Sequence, residues 1–109
     1  METLQPMLEA IRHEVEPVME RLDPHALDRA VQSICQARHI FVAGMGRSGY
    51  MMRAFAMRLM QMGLLVYMVG DTNTPCAQEG DLLVLGSGSG ETESLKNYAA
   101  KAHRLGVET

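Results

Sequence analysis

The sequence predicts an α/β protein, a small doubly wound parallel sheet of strand order 2-1-3 preceded by two helices. Three observations carry that expectation. Short aliphatic runs at residues 39–43, 64–69 and 82–86 are bounded by glycine or polar residues, as expected for strands covered on both faces. Stretches with apolar residues near a 3.6-residue period stand before and between them. Two glycine-rich turns, residues 44–49 and 86–92, each lead from a strand into a helix.

Taken in order, residues 2–22 bring Leu4, Met7, Leu8, Ile11, Val15, Val18, Met19 and Leu22 onto one face of an amphipathic helix, with a bend expected near Pro17. Asp23-Pro24 restarts the chain, because aspartate is a good N-cap and proline fits the first helical position. The second helix, 24–37, carries Leu27, Ala30, Val31 and Ile34 on one side. Residues 39–43 form the first strand, 44–49 a glycine turn, and 50–62 a helix stopped by Gly63.

Residues 64–69 form the second strand. The polar stretch 70–80 shows no helical pattern and reaches the third strand in only eleven residues, short for a crossover. The second and third strands are therefore expected on opposite sides of the first. The third strand, 82–86, runs into the second glycine loop, and the last helix, 91–105, is capped by Gly106. A fourth strand is expected to begin at Val107. The chain thus reads as the front part of a larger domain, with 1–37 as a helical segment, 38–109 as the α/β part and the third strand left with an open edge.

At 109 residues the chain is one domain at most. A net charge of −3 gives no global attraction to nucleic acid or to an acidic membrane surface. No apolar run approaches the ~20 residues that cross a bilayer, and the acidic, amphipathic start is unlike a signal peptide. Cys35 and Cys76 lack metal-ligand spacing and read as reduced thiols, so a cytoplasmic location is expected. Ten methionines point to a methionine-rich core or interface. His13, His25, His39 and His103 are scattered without ligand or triad spacing.

In a sheet of order 2-1-3, ligands bind at the carboxyl ends of the strands where the order reverses. Both glycine loops then face one cleft. The second, Gly86-Ser87-Gly88-Ser89-Gly90-Glu91-Thr92, holds three glycines and three hydroxyls in seven residues. A plain helix cap needs one hydroxyl. Three hydroxyls, a curled backbone and a helix N-terminus together make a phosphate site. Glu91 and Glu93 suit the helix dipole but repel a phosphate, so they are expected to point away, or Glu91 to face a sugar.

The first loop, Gly44-x-Gly46-x-x-Gly49, satisfies the dinucleotide-binding pattern, and Asp71 stands where a ribose-binding acid is expected. Against an NAD(P) site stand Arg47 and Ser48 inside the turn, the richer second anion loop, and the polar turn that Asp71 itself begins. Arg47 is either an exposed helix-start arginine or a contact to phosphate or sugar oxygen.

Residues 41–49 (FVAGMGRSG), 54–59 (AFAMRL), 66–75 (VYMVGDTNTP), 80–83 (GDLL) and 86–92 (GSGSGET) resemble the sugar isomerase (SIS) domain, and within it the 6-phospho-3-hexuloisomerase family. The likeness covers essentially the whole chain. It implies a five-stranded parallel sheet, of which this chain shows an incomplete SIS-type version, and usually a tetramer, hence a homo-oligomer. It implies interconversion of 3-hexulose 6-phosphate and fructose 6-phosphate, the step of the ribulose monophosphate route of formaldehyde fixation, with a small phosphorylated sugar as partner and no cofactor or metal. By position, Ser48, Ser87, Ser89 and Thr92 match the phosphate-binding hydroxyls, Gly88 and Gly90 the supporting backbone, and Arg47 a substrate-contacting arginine, while Glu91 lies within the same loop.

The resemblance places the catalytic glutamate beyond Thr109. The chain is thus expected to match the first three-fifths of such an enzyme and to be inactive alone, with Glu91, Asp71 and His25 as the only in-chain candidates for a base. A non-catalytic sugar-phosphate sensor is the alternative of a different class, and NAD(P) binding through the first loop is a third.

Overall fold

The structure is a computed structural model that describes residues 2–109. The elements are α1 (Leu4–Glu20), α2 (Pro24–Gln36), β1 (Ile40–Gly44), α3 (Gly46–Gln61), β2 (Val66–Met68), β3 (Leu82–Gly86) and α4 (Glu93–Leu105). The chain divides into two compact units, one ending at Gln32 and the other spanning Ser33–Thr109.

In the first unit α1 runs without interruption through Pro17 and buries none of its residues. Arg12 pairs with Glu16 at 2.6 Å one turn away, an exposed contact worth a few tenths of a kcal/mol, about 0.3–0.5. Asp23 starts α2 as expected. Its carboxylate accepts the N–H of His25 at 3.0 Å and its carbonyl accepts that of Leu27, while Pro24 takes the first helical position, where no donor is needed.

The second unit is a parallel sheet of order β2-β1-β3. β1 is central, and Val42 is fully buried there. Successive side chains of a strand point to opposite faces. Ile40 and Val42 therefore pack on Ala56 and Leu59 of α3, with Met52, Val66 and Val84 around them. Phe41 faces the other way and packs with Leu83, Ala102 of α4 and Val107. Helices cover both faces, which is why the strand reads as an unbroken aliphatic run. Ile34 and Ala37 also pack against the α3 side of the core.

Several boundaries differ from the sequence expectation, β1 by one residue, Ile40–Gly44 in place of 39–43. β2 covers only Val66–Met68, and α4 starts at Glu93 instead of Glu91. The larger difference is α3, which starts at Gly46 instead of Tyr50, with the N–H of Gly49 already bonded to the carbonyl of Met45 at 3.1 Å. Arg47 and Ser48 therefore lie on a helix's first turn, not in a loop. Gly49 is there for proximity: a Cβ on it would lie 2.7 Å from the carbonyl oxygen of Gly44. Gly106 ends α4 at φ 73°, the left-handed cap expected of it.

The edge of β3 is not wholly open. After Gly106 the chain turns back, Glu108 bridges Leu82 in parallel, and its carbonyl accepts the N–H of Leu83 at 2.8 Å. The amino end of β3 is tied down by Asp81, a buried charged residue. One of its carboxylate oxygens accepts the N–H of Gln78 at 2.8 Å, and the other lies 3.1 Å from His39 Nδ1 and 3.3 Å from Arg38 Nε. Burial pushes this carboxyl up, but the bonds from Gln78, His39 and Arg38 outweigh it and hold it below the usual aspartate range.

Candidate functional site

The carboxyl ends of β1 and β3 finish in step. Gly44 and Gly86 are register partners in the parallel ladder, so the two glycine-bearing segments leave the sheet about 4.8 Å apart, one strand spacing. The side chain of Met52, reaching from α3, fills the space beside both glycines. A Cβ at either position would collide with it, so these residues bring α3 and both strand ends into one compact corner.

The second loop is shaped by its own hydroxyls. Ser87 Oγ accepts the N–H of Gly90 at 3.0 Å and lies 3.1 Å from Thr92 Oγ1. Ser89 Oγ accepts the N–H of Glu91 at 3.1 Å. Gly90, at φ 72°, makes the turn that these bonds close. Thr92 occupies the N-cap position of α4, yet its hydroxyl makes no capping bond. The first-turn N–H groups of α4 are therefore left without a side-chain acceptor, in the place where a helix binds anions. Gly88, Ser89 and Gly90 are exposed and open to a ligand. Among the described residues no group of three histidine, cysteine or acidic side chains gathers to hold a metal ion.

Lys96 pairs with the acidic residues at the end of this loop and the start of α4. Lys96 Nζ lies 3.3 Å from Glu91 and 4.0 Å from Glu93. Asp71, just past β2, accepts from Arg53 Nη2 at 3.1 Å. His25 lies in the first turn of α2, in the unit that ends at Gln32.

The structure thus brings together Ser87, Ser89, Gly90, Glu91 and Thr92, with Gly88 at the exposed tip. Ser48 is half-buried on the first turn of α3, and Arg47 is exposed beside it. A cleft of about 240 Å³ opens at the end of β1, lined by Gly44, Met45, Gly46, Gly49, Tyr50 and Arg53. Neither Arg47 nor Ser48 lines it. The arginine there is Arg53, which sequence reasoning missed. Gly46, Gly49, Tyr50 and Arg53 follow the i, i+3, i+4, i+7 spacing of one helix face, a signal that a helix start at Tyr50 hides.

The chain is 53% identical over 78 residues to a 3-hexulose-6-phosphate isomerase of Bacillus subtilis, covering 72% of this chain and 42% of that protein. It is 51% identical over 79 residues to a protein of the same name from Methanocaldococcus jannaschii, covering 72% and 44%. A crystal structure of a hypothetical protein superposes with a TM-score of 0.89 at 42% identity, covering 98% of this chain and 57% of that one. The chain therefore spans about half the length of the relatives it matches. Residues 33–109, which contain the whole sheet and both glycine-bearing segments, match the SIS domain, and the chain belongs to that family.

Proposed function

We propose that the protein is a sugar-phosphate isomerase that interconverts 3-hexulose 6-phosphate and fructose 6-phosphate, with this chain supplying the grip on the phosphate. The observation that carries the reading is the pairing of Gly44 with Gly86, which sets the hydroxyl-rich loop and the open N-terminus of α4 beside the cleft at the end of β1. Two relatives that bear the name 3-hexulose-6-phosphate isomerase support it.

The reaction moves a carbonyl between C3 and C2. A base takes the proton from C2, an enediol forms, and the proton returns at C3. No oxidant or electrophilic cofactor is needed for that exchange. A firmly held phosphate orients the reacting carbons and contributes binding energy from a remote part of the substrate. Ser87, Ser89 and Thr92 hydroxyls, with the backbone of Gly88 and Gly90, suit that role.

Binding tests the reading directly. Fructose 6-phosphate is expected to raise the melting temperature of the protein, and Ser89→Ala to abolish most of that shift. Stabilisation by NAD or NADP with no response to fructose 6-phosphate would overturn it in favour of dinucleotide binding.

A further inference from the structure

We propose that Arg53, held in place by Asp71, receives the sugar end of the phosphorylated ketose and so sets specificity for it. The inference rests on the isomerase reading and goes beyond it, because the phosphate loop alone would accept any phosphate monoester.

Arg53 is the only cationic side chain lining the first-loop cleft among the described residues. Its Nη2 donates to Asp71 Oδ1 at 3.1 Å, and both side chains remain about half exposed. One contact leaves most of the guanidinium's five N–H donors and most of the carboxylate's acceptor sites unused. Side by side, a fixed donor fork and a carboxylate match a run of sugar hydroxyls, each of which donates and accepts. A free arginine would swing and favour the phosphate. An arginine already paired with a carboxylate has its charge offset and its position set, and it suits neutral hydroxyls and a carbonyl oxygen.

The strand order gives the spacing. Asp71 follows β2, the cleft follows β1 and the hydroxyl loop follows β3. The strands that lead to the two ends, β2 and β3, lie two strand spacings, about 10 Å, apart. That is comparable with the length of an open-chain six-carbon sugar phosphate, so one molecule can touch both ends.

The test compares two probes, fructose 6-phosphate and inorganic phosphate, by titration calorimetry on the full chain. Arg53→Gln is expected to weaken fructose 6-phosphate about tenfold or more while leaving inorganic phosphate within about twofold. Arg53→Lys is expected to recover part of the loss, and Asp71→Asn to weaken the sugar phosphate selectively by a smaller factor. Ser89→Ala weakens both probes. Should Arg53→Gln fail to melt cooperatively, Asp71→Asn, a change on an exposed turn, carries the comparison. Equal losses for both probes, or none, would overturn the role of Arg53 while leaving the isomerase reading intact. Failure of fructose 6-phosphate to bind the unaltered protein would overturn both.

Discussion

Gly49 of α3 lies against the carbonyl oxygen of Gly44, so that a methyl group on Gly49 would begin 2.7 Å from it. The obstacle is backbone, and no flexible side chain can yield. Gly49→Ala is therefore expected to push α3 away from β1 and to lower stability by about 1–3 kcal/mol, the cost of overpacking a tight contact. Gly46→Ala is the informative contrast. Gly46 has φ 57°, which strains any other residue, but no atom lies within 4 Å of an added carbon. Its cost is expected near ~1 kcal/mol. Denaturant midpoints of the two variants check the ranking, and a Gly49 variant as stable as the parent would show that this contact does not hold the helix.

The loop hydroxyls divide by role. Ser87 serves both Gly90 and Thr92, so Ser87→Ala is expected to loosen the loop and weaken inorganic phosphate about tenfold. Thr92→Val behaves differently. Its hydroxyl does not cap α4, so without ligand the substitution is expected to cost well under the ~1 kcal/mol typical of a lost N-cap. Melting curves with and without phosphate separate the two effects, and a full N-cap penalty for Thr92→Val in the absence of ligand would contradict the geometry.

Asp81 makes stability depend on acid. Its folded-state carboxyl is held below the ordinary aspartate value of 3.8, so folding favours the ionised form. That contribution is fully present above the ordinary aspartate range and is lost as the pH falls through it and below. Asp81→Asn keeps the shape but loses the charge facing Arg38 and His39. It is expected to lower stability by about 1–3 kcal/mol at neutral pH, as for other disrupted buried hydrogen bonds. The gap between the two proteins should close in strong acid. A gap that stays constant from pH 7 to pH 3 would assign Asp81 a purely steric role.

The local structure of the candidate site was legible because its signals are local. The aliphatic run 82–86, the alternation of glycine and serine after it and the helix beyond are contiguous, and the structure keeps that order. Asp23-Pro24 and Gly106 are likewise read from one or two residues, since a cap depends on its immediate neighbours. Arg53 was not legible as part of the cleft. Its place there depends on a helix that starts at Gly46, and that start depends on Gly49 approaching Gly44 across the strand-to-helix junction. Asp81 was not legible either, because its partners Arg38 and His39 lie more than forty residues away in the chain.

The sequence by itself determined the fold class, the 2-1-3 order and the hydroxyl loop, because periodicity, connection length and turn chemistry act over short stretches. Only the tertiary structure decided which arginine faces the cleft, that Asp71 pairs with Arg53, and that Glu108 takes up part of the β3 edge. Those are contacts between segments distant in sequence, set by packing two layers of helices against one sheet, and no local pattern encodes them.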